Sequence, residues 1–298
     1  MISVCIPVYN FDSSKLVKCI GSQLEHGDEL IVIDDCSSVF VEENKLSSAN
    51  HTFIALEKNH GRAKIRNLFL KHVKNNYLLF LDCDSLIIDS AFIKNYRNAI
   101  NPDTKIICGG RVYPKELPSN NQFLSWNYGV LSESKNALER KKNPNDSFMT
   151  NNFLVAKTVL EKFPFNESIS QYGHEDTLFG ITLEANGIEI EHIENPILNG
   201  DIETNEAFLI KTEKAIANLV MLFQDKKLQK KLQRRVKIVR FYTKTRLFAP
   251  FILLTFMVFR KQMKKRLIQS KSPLWLFNFY KLGRFIETLR KSRLEKLQ

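Results

Sequence analysis

Short apolar runs alternate with helical stretches at the start of the chain. Ile2–Val8 is an apolar run, residues 13–24 carry apolar side chains at helical spacing, and residues 29–33 form a second apolar run followed by two aspartates. A helical stretch between two buried strands is typical of a β-α-β unit. The pattern therefore predicts that the chain begins with such a unit.

The same alternation continues to about residue 112. Further strands are predicted at residues 53–56, 77–81 and 105–112, with helices at 62–73 and 91–99 between them. Strands that are separated by single helices form a parallel or mixed sheet with helices on its faces. We therefore predict an α/β fold, in which ligands bind beyond the carboxyl ends of the strands.

Residues 114–147 lose this periodicity and mix Pro, Asn, Ser and Lys around an aromatic patch that includes Trp126. We interpret the segment as an irregular excursion of the kind that forms a loop over a site.

Charge divides the chain into two parts. Residues 1–205 contain 20 basic and 27 acidic side chains, and residues 206–298 contain 24 basic and 5 acidic ones. We predict one domain over 1–205 and a basic, amphipathic helical region over 206–298. Such a basic region is attracted to a polyanion, which by charge alone is a nucleic acid, an anionic membrane or an acidic partner.

The basic region contains the apolar run of residues 247–259, with Lys and Arg on both sides. This run is shorter than the roughly 20 residues that a bilayer crossing needs. Its composition favours a helix or hairpin in the lipid headgroup region. A core helix with one solvated face is the alternative.

The cysteines and the first residues indicate the cellular compartment. Five cysteines lie within the first 108 residues without CxxC spacing, which is typical of reduced thiols in a cytosolic protein. The first ten residues form a predicted strand instead of a cleavable signal peptide. We therefore expect a cytoplasmic protein.

Two aspartates follow the predicted strand at residues 77–81. Asp82 and Asp84 are separated by one residue, so on an extended strand both point the same way. Paired carboxylates suit a hard cation such as Mg²⁺ or Mn²⁺, which substrate phosphates often complete. The alternative is a helix cap beside a solvated acid. Asp34 and Asp35 repeat the arrangement more weakly, because the same residues are common in turns.

Two further motifs place charge at predicted helix starts. Arg62 and Arg66 follow Gly61 on one helical face, where arginine engages phosphate or a carboxylate. Glu175 and Asp176 also open a predicted helix, and there the helix dipole favours acids whatever their function.

Five segments in this order, SVCIPVYN, IVIDDCS, NHGRAKIRN, LFLDCDS and GHEDTLFG, resemble the family 2 glycosyltransferases with the GT-A fold. The resemblance covers roughly residues 2–205. It implies a Rossmann-like mixed sheet flanked by helices, and transfer of a sugar from a nucleotide diphosphate, with UDP the family's usual nucleotide, to an acceptor hydroxyl. Transfer would invert the anomeric carbon in a single displacement.

The resemblance also implies roles for particular residues. Asp176 would be the general base, and Asp82 and Asp84 would bind Mn²⁺ or Mg²⁺, with Asp84 the surer ligand. The implied donor-binding residues are Pro7, Tyr9, Asn10, Asp35, Arg62, Arg66 and Asp82. On the acceptor side we expect Glu175, Asn151, Asn152 and Trp126.

One position departs from the family pattern. Relatives often have a histidine after the Asn-Pro segment, where this chain has Asn199, a weaker metal ligand. His174 and His192 lie elsewhere in the sequence, and we assign neither to the metal.

The basic region resembles the tails of bacterial members that work at the inner face of the cytoplasmic membrane. It implies an anionic membrane surface as a partner and a glycan or lipid-linked glycan as the acceptor, in cell-surface polysaccharide synthesis. Nucleic acid is not an expected partner.

Two rival functions were weighed. Other nucleotide enzymes would carry a glycine-rich loop after the first strand, and IPVYNFDSS stands there instead. The second rival is a catalytically degenerate protein whose tail binds membrane or nucleic acid, through aromatic residues such as Trp275, Phe277, Phe279 and Tyr280. Asp35, Asp82, Asp84 and Asp176 favour the enzyme, because a degenerate site would not need them.

Overall fold

The computed structural model describes residues 1–169 and 173–295, which pack as two units. The first unit comprises residues 1–113, 132–169 and 175–201, and the second comprises 114–131, 173–174 and 202–295. The predicted boundary at residues 205 and 206 lies close to the start of the last segment. Residues 114–131, which the sequence placed in the first domain, pack with the C-terminal helices.

The strands all lie in the first unit, within the residues that the structure describes. They are β1 (Ile2–Val8), β2 (Glu29–Asp34), β3 (Thr52–Ala55), β4 (Tyr77–Leu81), β5 (Ser85–Ile87), β6 (Ile106–Cys108), β7 (Arg111–Val112), β8 (Asn152–Ala156), β9 (Glu191–His192) and β10 (Ile197–Asn199).

The helices belong to both units. Those of the first unit are α1 (Ser14–Gly21), α2 (Val41–Ser47), α3 (Arg62–Leu68), α4 (Phe92–Ala99), α6 (Ala137–Lys141), α7 (Lys157–Lys162) and α8 (Glu175–Ala185). Those of the second unit are α5 (Phe123–Tyr128), α9 (Asn205–Gln224), α10 (Lys226–Arg235), α11 (Lys237–Lys244), α12 (Ala249–Gln269) and α13 (Leu274–Glu295).

A mixed sheet forms the centre of the first unit. Its order among the described strands is β3-β2-β1-β4-β8-β6-β9. Strands β3, β2, β1 and β4 are parallel, whereas β8 runs antiparallel to both β4 and β6. The predicted mixed α/β sheet is confirmed.

Apolar side chains fill both faces of this sheet. On one face Phe80 stacks on Phe153, and the cluster continues into α3 and α8. On the other face Val4 and Leu79 pack with α1 and α4. Because the strands are buried on both sides, their sequences are continuously apolar instead of alternating.

A second, smaller sheet has the order β5-β10-β7. Strand β10 runs antiparallel to β5, with Asn199 opposite Ser85, and parallel to β7. These strands are only two or three residues long, which is why apolar periodicity did not reveal β5 or β7 as separate strands.

The expected irregular excursion at 114–147 contains helices α5 and α6. A capping box begins α6, in which the Asn136 side chain accepts a hydrogen bond from the Glu139 amide at 2.8 Å. Both helices are shorter than the window in which helical periodicity is detectable. The sequence analysis was wrong about the regularity of this segment.

Helices dominate the second unit. Phe223, Tyr242 and Phe285 form an aromatic cluster that joins α9, α11 and α13. Within the described residues no single helix is long and apolar enough to cross a membrane. The bent pair formed by Lys237–Lys244 and Arg246–Gln269 meets the criterion by length and composition only.

Candidate functional site

The loops after β1 and β2 are joined by hydrogen bonds at the carboxyl edge of the sheet. The Asn10 side chain accepts from the Ser38 amide, and the Asn10 amide donates to Ser37 Oγ, each at 2.8 Å. Tyr9 is exposed beside them, and Pro7 lies one residue before the end of β1. These predicted donor-binding residues therefore lie at the edge where ligands bind in such sheets.

Asp35 holds the turn that starts α3. Its carboxylate accepts hydrogen bonds from the amides of His60 at 2.7 Å and Gly61 at 2.8 Å. Gly61 has a positive φ of 79°, a conformation that favours glycine. Asp35 thus positions the first turn of α3, and its contact with a nucleotide base stays a prediction.

Asp34, which the sequence paired with Asp35 but which was not assigned to the donor site, offers a further acceptor at the same edge. One oxygen of its buried carboxylate accepts from the Ser37 amide at 2.7 Å. The other oxygen, Oδ2, is buried and has no hydrogen-bond partner in the described part of the chain. Buried polar atoms are usually paired, so this oxygen is a candidate for contact with a ligand.

Asp82 is paired with two arginines of α3. Arg66 Nη2 lies 2.7 Å from Asp82 Oδ1, and Arg62 Nη2 lies 3.3 Å from Oδ2. Burial opposes the charged form of Asp82, but the positive charges of Arg66, Arg62 and Arg111 outweigh it and lower the pKa of Asp82. Asp82 is therefore a fixed carboxylate anion.

Arg66 lies behind Asp82, away from solvent. It is 1% exposed, and its guanidinium donates to the Arg62 carbonyl at 3.0 Å as well as to Asp82. The structure thus corrects its predicted role: Arg66 positions Asp82 and has no exposed surface with which to meet a donor phosphate. Arg62 is 41% exposed, and its donor-side role stays a prediction.

We expect Arg66→Met to destabilise the protein by about 2–4 kcal/mol, because it leaves the Asp82 carboxylate partly buried with only the longer Arg62 contact. Chemical denaturation of the purified variant would measure this change. The matched control is Arg290→Met, which removes an exposed arginine of α13. An unchanged free energy of unfolding for Arg66→Met would contradict the assignment.

Asp84 follows Asp82 in the turn between β4 and β5. The Ser85 amide donates to the Asp82 carbonyl at 3.1 Å, so a turn brings the two carboxylates together and the predicted strand alternation does not. Burial and the charge of Asp82 raise the pKa of Asp84. A group that is destabilised as an anion in this way gains from a nearby cation.

Asn199 lies next to this turn. It is buried opposite Ser85 in the small sheet, and the Gly200 amide donates to the Asp84 carbonyl at 3.3 Å. The Ser85 hydroxyl is buried, and no described residue forms a hydrogen bond with it. The position at which relatives often carry a histidine therefore adjoins the aspartate pair.

These oxygen groups fit a divalent cation that is only partly held by protein. Within residues 1–169 and 173–295 no cluster of three or more His, Cys, Asp or Glu side chains is placed to hold a metal ion. Asp82 is paired with two arginines, so Asp84 is the carboxylate of the pair that is left to bind a cation. Magnesium and manganese sites of this kind are completed by substrate phosphates.

Arg62 connects the aspartate pair to the late acidic pair. Its Nη2 faces Asp82, and its Nη1 lies 3.5 Å from Glu175 Oε1 at the start of α8. Glu175 is buried, and its second oxygen, Oε2, has no hydrogen-bond partner within residues 1–169 and 173–295. Two motifs that are about 90 residues apart in sequence thus meet at one edge of the sheet.

Asp176 occupies an environment suited to a proton acceptor. Burial and the neighbouring charge of Glu175 raise its pKa to about 6. Its Oδ1 accepts from the Thr177 amide at 2.6 Å, which fixes the orientation of the carboxylate. A base with a pKa near the working pH combines the deprotonated form with useful proton affinity.

The two predicted asparagines differ. Both polar side-chain atoms of Asn151 are buried without a partner among the residues that the structure describes, and its backbone carbonyl accepts from the Asp82 amide at 3.1 Å. Asn152 instead donates to the carbonyls of Gly110 and Asn195 and accepts from the Tyr96 hydroxyl. The structure corrects the role of Asn152, because a fully bonded amide inside the core has nothing left for an acceptor.

Trp126, the remaining acceptor-side prediction, lies in the second unit. Its indole N–H donates to the Pro114 carbonyl at 2.8 Å. Its contact with an acceptor stays a prediction.

The sequence analysis missed a basic group near the aspartates. Arg111 Nη1 contacts the Tyr113 hydroxyl and Glu133 Oε2, each at 2.9 Å. Its positive charge contributes to the lowered pKa of Asp82 and partly offsets the rise in the pKa of Asp84. The position of Arg111 immediately after two glycines at a strand end was the available signal, but nothing in the sequence linked it to Glu133.

His192 has a structural role, as expected. It lies between Arg140 Nε at 3.1 Å and the Pro144 carbonyl at 2.9 Å. Burial lowers its pKa to about 4. His192 therefore stays neutral in the core.

Comparison with known sequences identifies the family of this site. The sequence model of glycosyl transferase family 2 matches residues 3–163, more than half of the chain. This chain belongs to the family 2 glycosyltransferases. The family that the five motifs predicted is confirmed.

Two bacterial relatives extend the comparison. The glycosyltransferase is 24% identical over 270 residues to YfnE, an uncharacterised glycosyltransferase of Bacillus subtilis, with 70% of this chain and 69% of that protein covered. It is 35% identical over 86 residues to an uncharacterised glycosyltransferase of Haemophilus influenzae. That match spans 28% of this chain and 29% of the relative.

Solved structures share the fold. A Pyrobaculum calidifontis mannosyltransferase in complex with GDP-Man and Mn²⁺ superposes with a TM-score of 0.64 at 13% identity, covering all of this chain and 88% of that one. TarS 1–349 of S. aureus in complex with UDP-GlcNAc gives 0.51 at 16% identity, covering 100% and 92%. The GT-A fold of this glycosyltransferase is thereby confirmed.

Proposed function

We propose that this glycosyltransferase moves a sugar from a nucleotide diphosphate to an acceptor hydroxyl by a single, inverting displacement. The observation that carries the proposal is Arg62, which contacts both Asp82 and Glu175 and so gathers the aspartate pair and the late acidic pair at one edge of the sheet. The groups that would stabilise the leaving diphosphate and the groups that would remove the acceptor proton thereby lie in one site.

In the proposed reaction Asp176 removes the proton of the acceptor hydroxyl as its oxygen attacks the anomeric carbon. The bond from that carbon to the diphosphate oxygen breaks on the opposite face, so the configuration inverts. The Thr177 amide orients Asp176, and Glu175 raises its proton affinity. Asn151, whose side-chain amide has no hydrogen-bond partner among the described residues, would bind a hydroxyl or phosphate.

The negative charge that develops on the leaving diphosphate needs compensation. The Arg62 guanidinium is a positive charge at the site, and its side chain is partly exposed. We propose that Asp84, with Asp82 held behind it, binds Mn²⁺ or Mg²⁺ together with the donor phosphates. When bound, the cation would offset the charge on the leaving group.

The donor class and the acceptor rest on analogy. Structural neighbours bind GDP-Man with Mn²⁺, UDP-GlcNAc, and, for a mycobacterial synthase, UDP with Mn²⁺. We propose a UDP-sugar as the donor and a saccharide or lipid-linked glycan as the acceptor, in cell-surface polysaccharide synthesis. The basic second unit supports work at the inner face of the cytoplasmic membrane.

A panel of nucleotide sugars would test this function. The purified protein is incubated with each donor and Mn²⁺, and nucleotide diphosphate release is measured with and without saccharide acceptors. Release from one donor supports the proposal. Binding of no nucleotide to a folded protein would instead favour the degenerate binding protein.

The pH dependence of transfer follows from the raised pKa of Asp176. The carboxylate must be deprotonated to act as the base, so we expect kcat/KM to fall as the pH drops below about 6. Glu175→Gln removes the negative charge that raises this pKa, and we expect the acidic limb of its profile to move to lower pH. Donor affinity measured over the same pH range controls for binding. Coincident limbs in both proteins would contradict the assignment.

A further inference from the structure

The segment around the start of α12 exposes apolar side chains on one face. Those that are more than half exposed are Leu247, Phe248, Phe251, Leu254, Met257 and Val258, which we name the apolar ridge. Their spacing of three or four residues places them on the same side of the helix. The opposite side, with Leu253 and Phe256, is buried within the second unit. The ridge is therefore an outward face of a packed helix.

The bend between α11 and α12 lies at one end of the ridge. Lys237–Lys244 and Arg246–Gln269 meet at 79°. Helix α11 is anchored by Tyr242, which packs on Phe223 and Phe285, while Phe241 on its outer side is exposed. Phe241 thereby extends the exposed apolar surface around the corner.

Basic residues follow the ridge directly. Arg260 and Lys264 have acidic neighbours inside the unit, Glu287 at 3.1 Å and Glu213 at 3.9 Å. Lys261 and Lys265 are exposed on the same stretch of α12. An apolar face next to exposed lysines matches the boundary between lipid chains and anionic headgroups.

We propose that the apolar ridge docks on an anionic phospholipid bilayer, with its side chains below the headgroups and Lys261 and Lys265 at the lipid phosphates. This inference assigns the apolar ridge as the surface that makes the membrane association proposed above. It rests on the second unit alone, so the transfer reaction can fail without affecting it.

A groove beside the ridge suits one lipid chain. It has a volume of about 380 Å³ between α12 and α13, and Phe259, Met263, Trp275, Leu276 and Phe279 supply its apolar lining. Arg266 and Gln262 also line it. An acyl chain fits this lining, and Arg266 provides a cation for the phosphate of the same lipid.

Two other occupants fit the surface less well. Of the tail aromatics that could stack on bases, Phe277 and Tyr280 are buried, and the exposed Trp275 lines the apolar groove. A second copy of the chain would bring together two regions that each carry 24 basic and 5 acidic residues, which repel. A lipid surface carries the opposite charge.

Vesicle co-sedimentation tests the ridge. The full-length protein is mixed with phosphatidylcholine vesicles that contain either no phosphatidylglycerol or about 30 mol % of it. We expect binding to the anionic vesicles, and a loss of affinity of roughly tenfold or more in the double variant Phe248→Ser and Phe251→Ser. The matched control is Leu138→Ser, which alters an equally exposed apolar residue in the first unit.

Fluorescence tests the groove. In a Trp126→Phe background, Trp275 is the remaining tryptophan. We expect vesicles of brominated phospholipid to quench its emission, more strongly with bromine near the headgroup than deep in the chain.

Equal vesicle binding by the double variant and the wild type would overturn the proposal, as would RNA binding or dimerisation that is lost in the double variant without any vesicle binding. Circular dichroism verifies that each variant is folded. Unquenched Trp275 in protein that is bound to vesicles would overturn the placement of a lipid chain in the groove.

Discussion

We expect Asp176→Asn to lower sugar transfer by about 10³-fold while nucleotide binding stays close to that of the wild type. Asparagine has the same shape, and its carbonyl oxygen still accepts the Thr177 amide, so α8 begins as before. It has no proton affinity, however, and general base catalysis typically contributes about 10²–10⁴-fold. Single-turnover transfer and calorimetric titration of nucleotide diphosphate would measure both quantities.

Two matched variants sharpen this test. Thr177→Val removes the second, 3.3 Å contact to the Asp176 carboxylate and leaves the carboxylate itself. We expect it to retain most of the activity. Asp146→Asn neutralises an acid elsewhere in the first unit and controls for the loss of one negative charge. Full transfer by Asp176→Asn would move the base to another residue, with Glu175 the nearest candidate.

The sequence predicted strands β1, β2, β3, β4 and β6 because strands that are buried on both faces read as continuous apolar runs. An apolar run such as that of β4, followed directly by polar residues, predicts a buried strand. The order of the five motifs then indicated the family. The small sheet of β5, β10 and β7 did not emerge, because two or three residues carry no periodicity.

The contacts inside the site were much less predictable. Arg62 and Arg66 lie on one helical face, and sequence spacing treats them alike. The structure separates them, because Arg66 points into the core toward Asp82 while Arg62 stays at the surface and reaches Glu175. Which side of α3 faces the sheet depends on tertiary packing, and local spacing does not contain that information.

The same limit applies to the neighbouring asparagines. Asn151 and Asn152 are adjacent at the start of β8, and successive side chains of an extended chain point to opposite sides of the sheet. Only the pairing of Leu81 with Asn152 decides which residue is structural. A one-residue shift in register would exchange their roles.

Asp84→Ala is expected to abolish the part of nucleotide diphosphate binding that depends on a divalent cation. Asp82 is already neutralised by Arg66 and Arg62, so Asp84 is the carboxylate of the pair that is destabilised as an anion and has most to gain from a cation. We expect affinity in the presence of Mn²⁺ to fall by roughly a hundredfold or more. Affinity without metal should change little, because Arg62 remains.

Calorimetric titration of a nucleotide diphosphate, with and without Mn²⁺, gives four affinities for the wild type and Asp84→Ala. The metal effect in each protein is the ratio of its two values, so a general loss of fold does not imitate the result. Asp103→Ala, at an exposed acid of the same unit, serves as the control. If Asp84→Ala keeps the metal effect, then Asp82 must release an arginine and bind the cation itself. The roles assigned to the two aspartates would then be reversed.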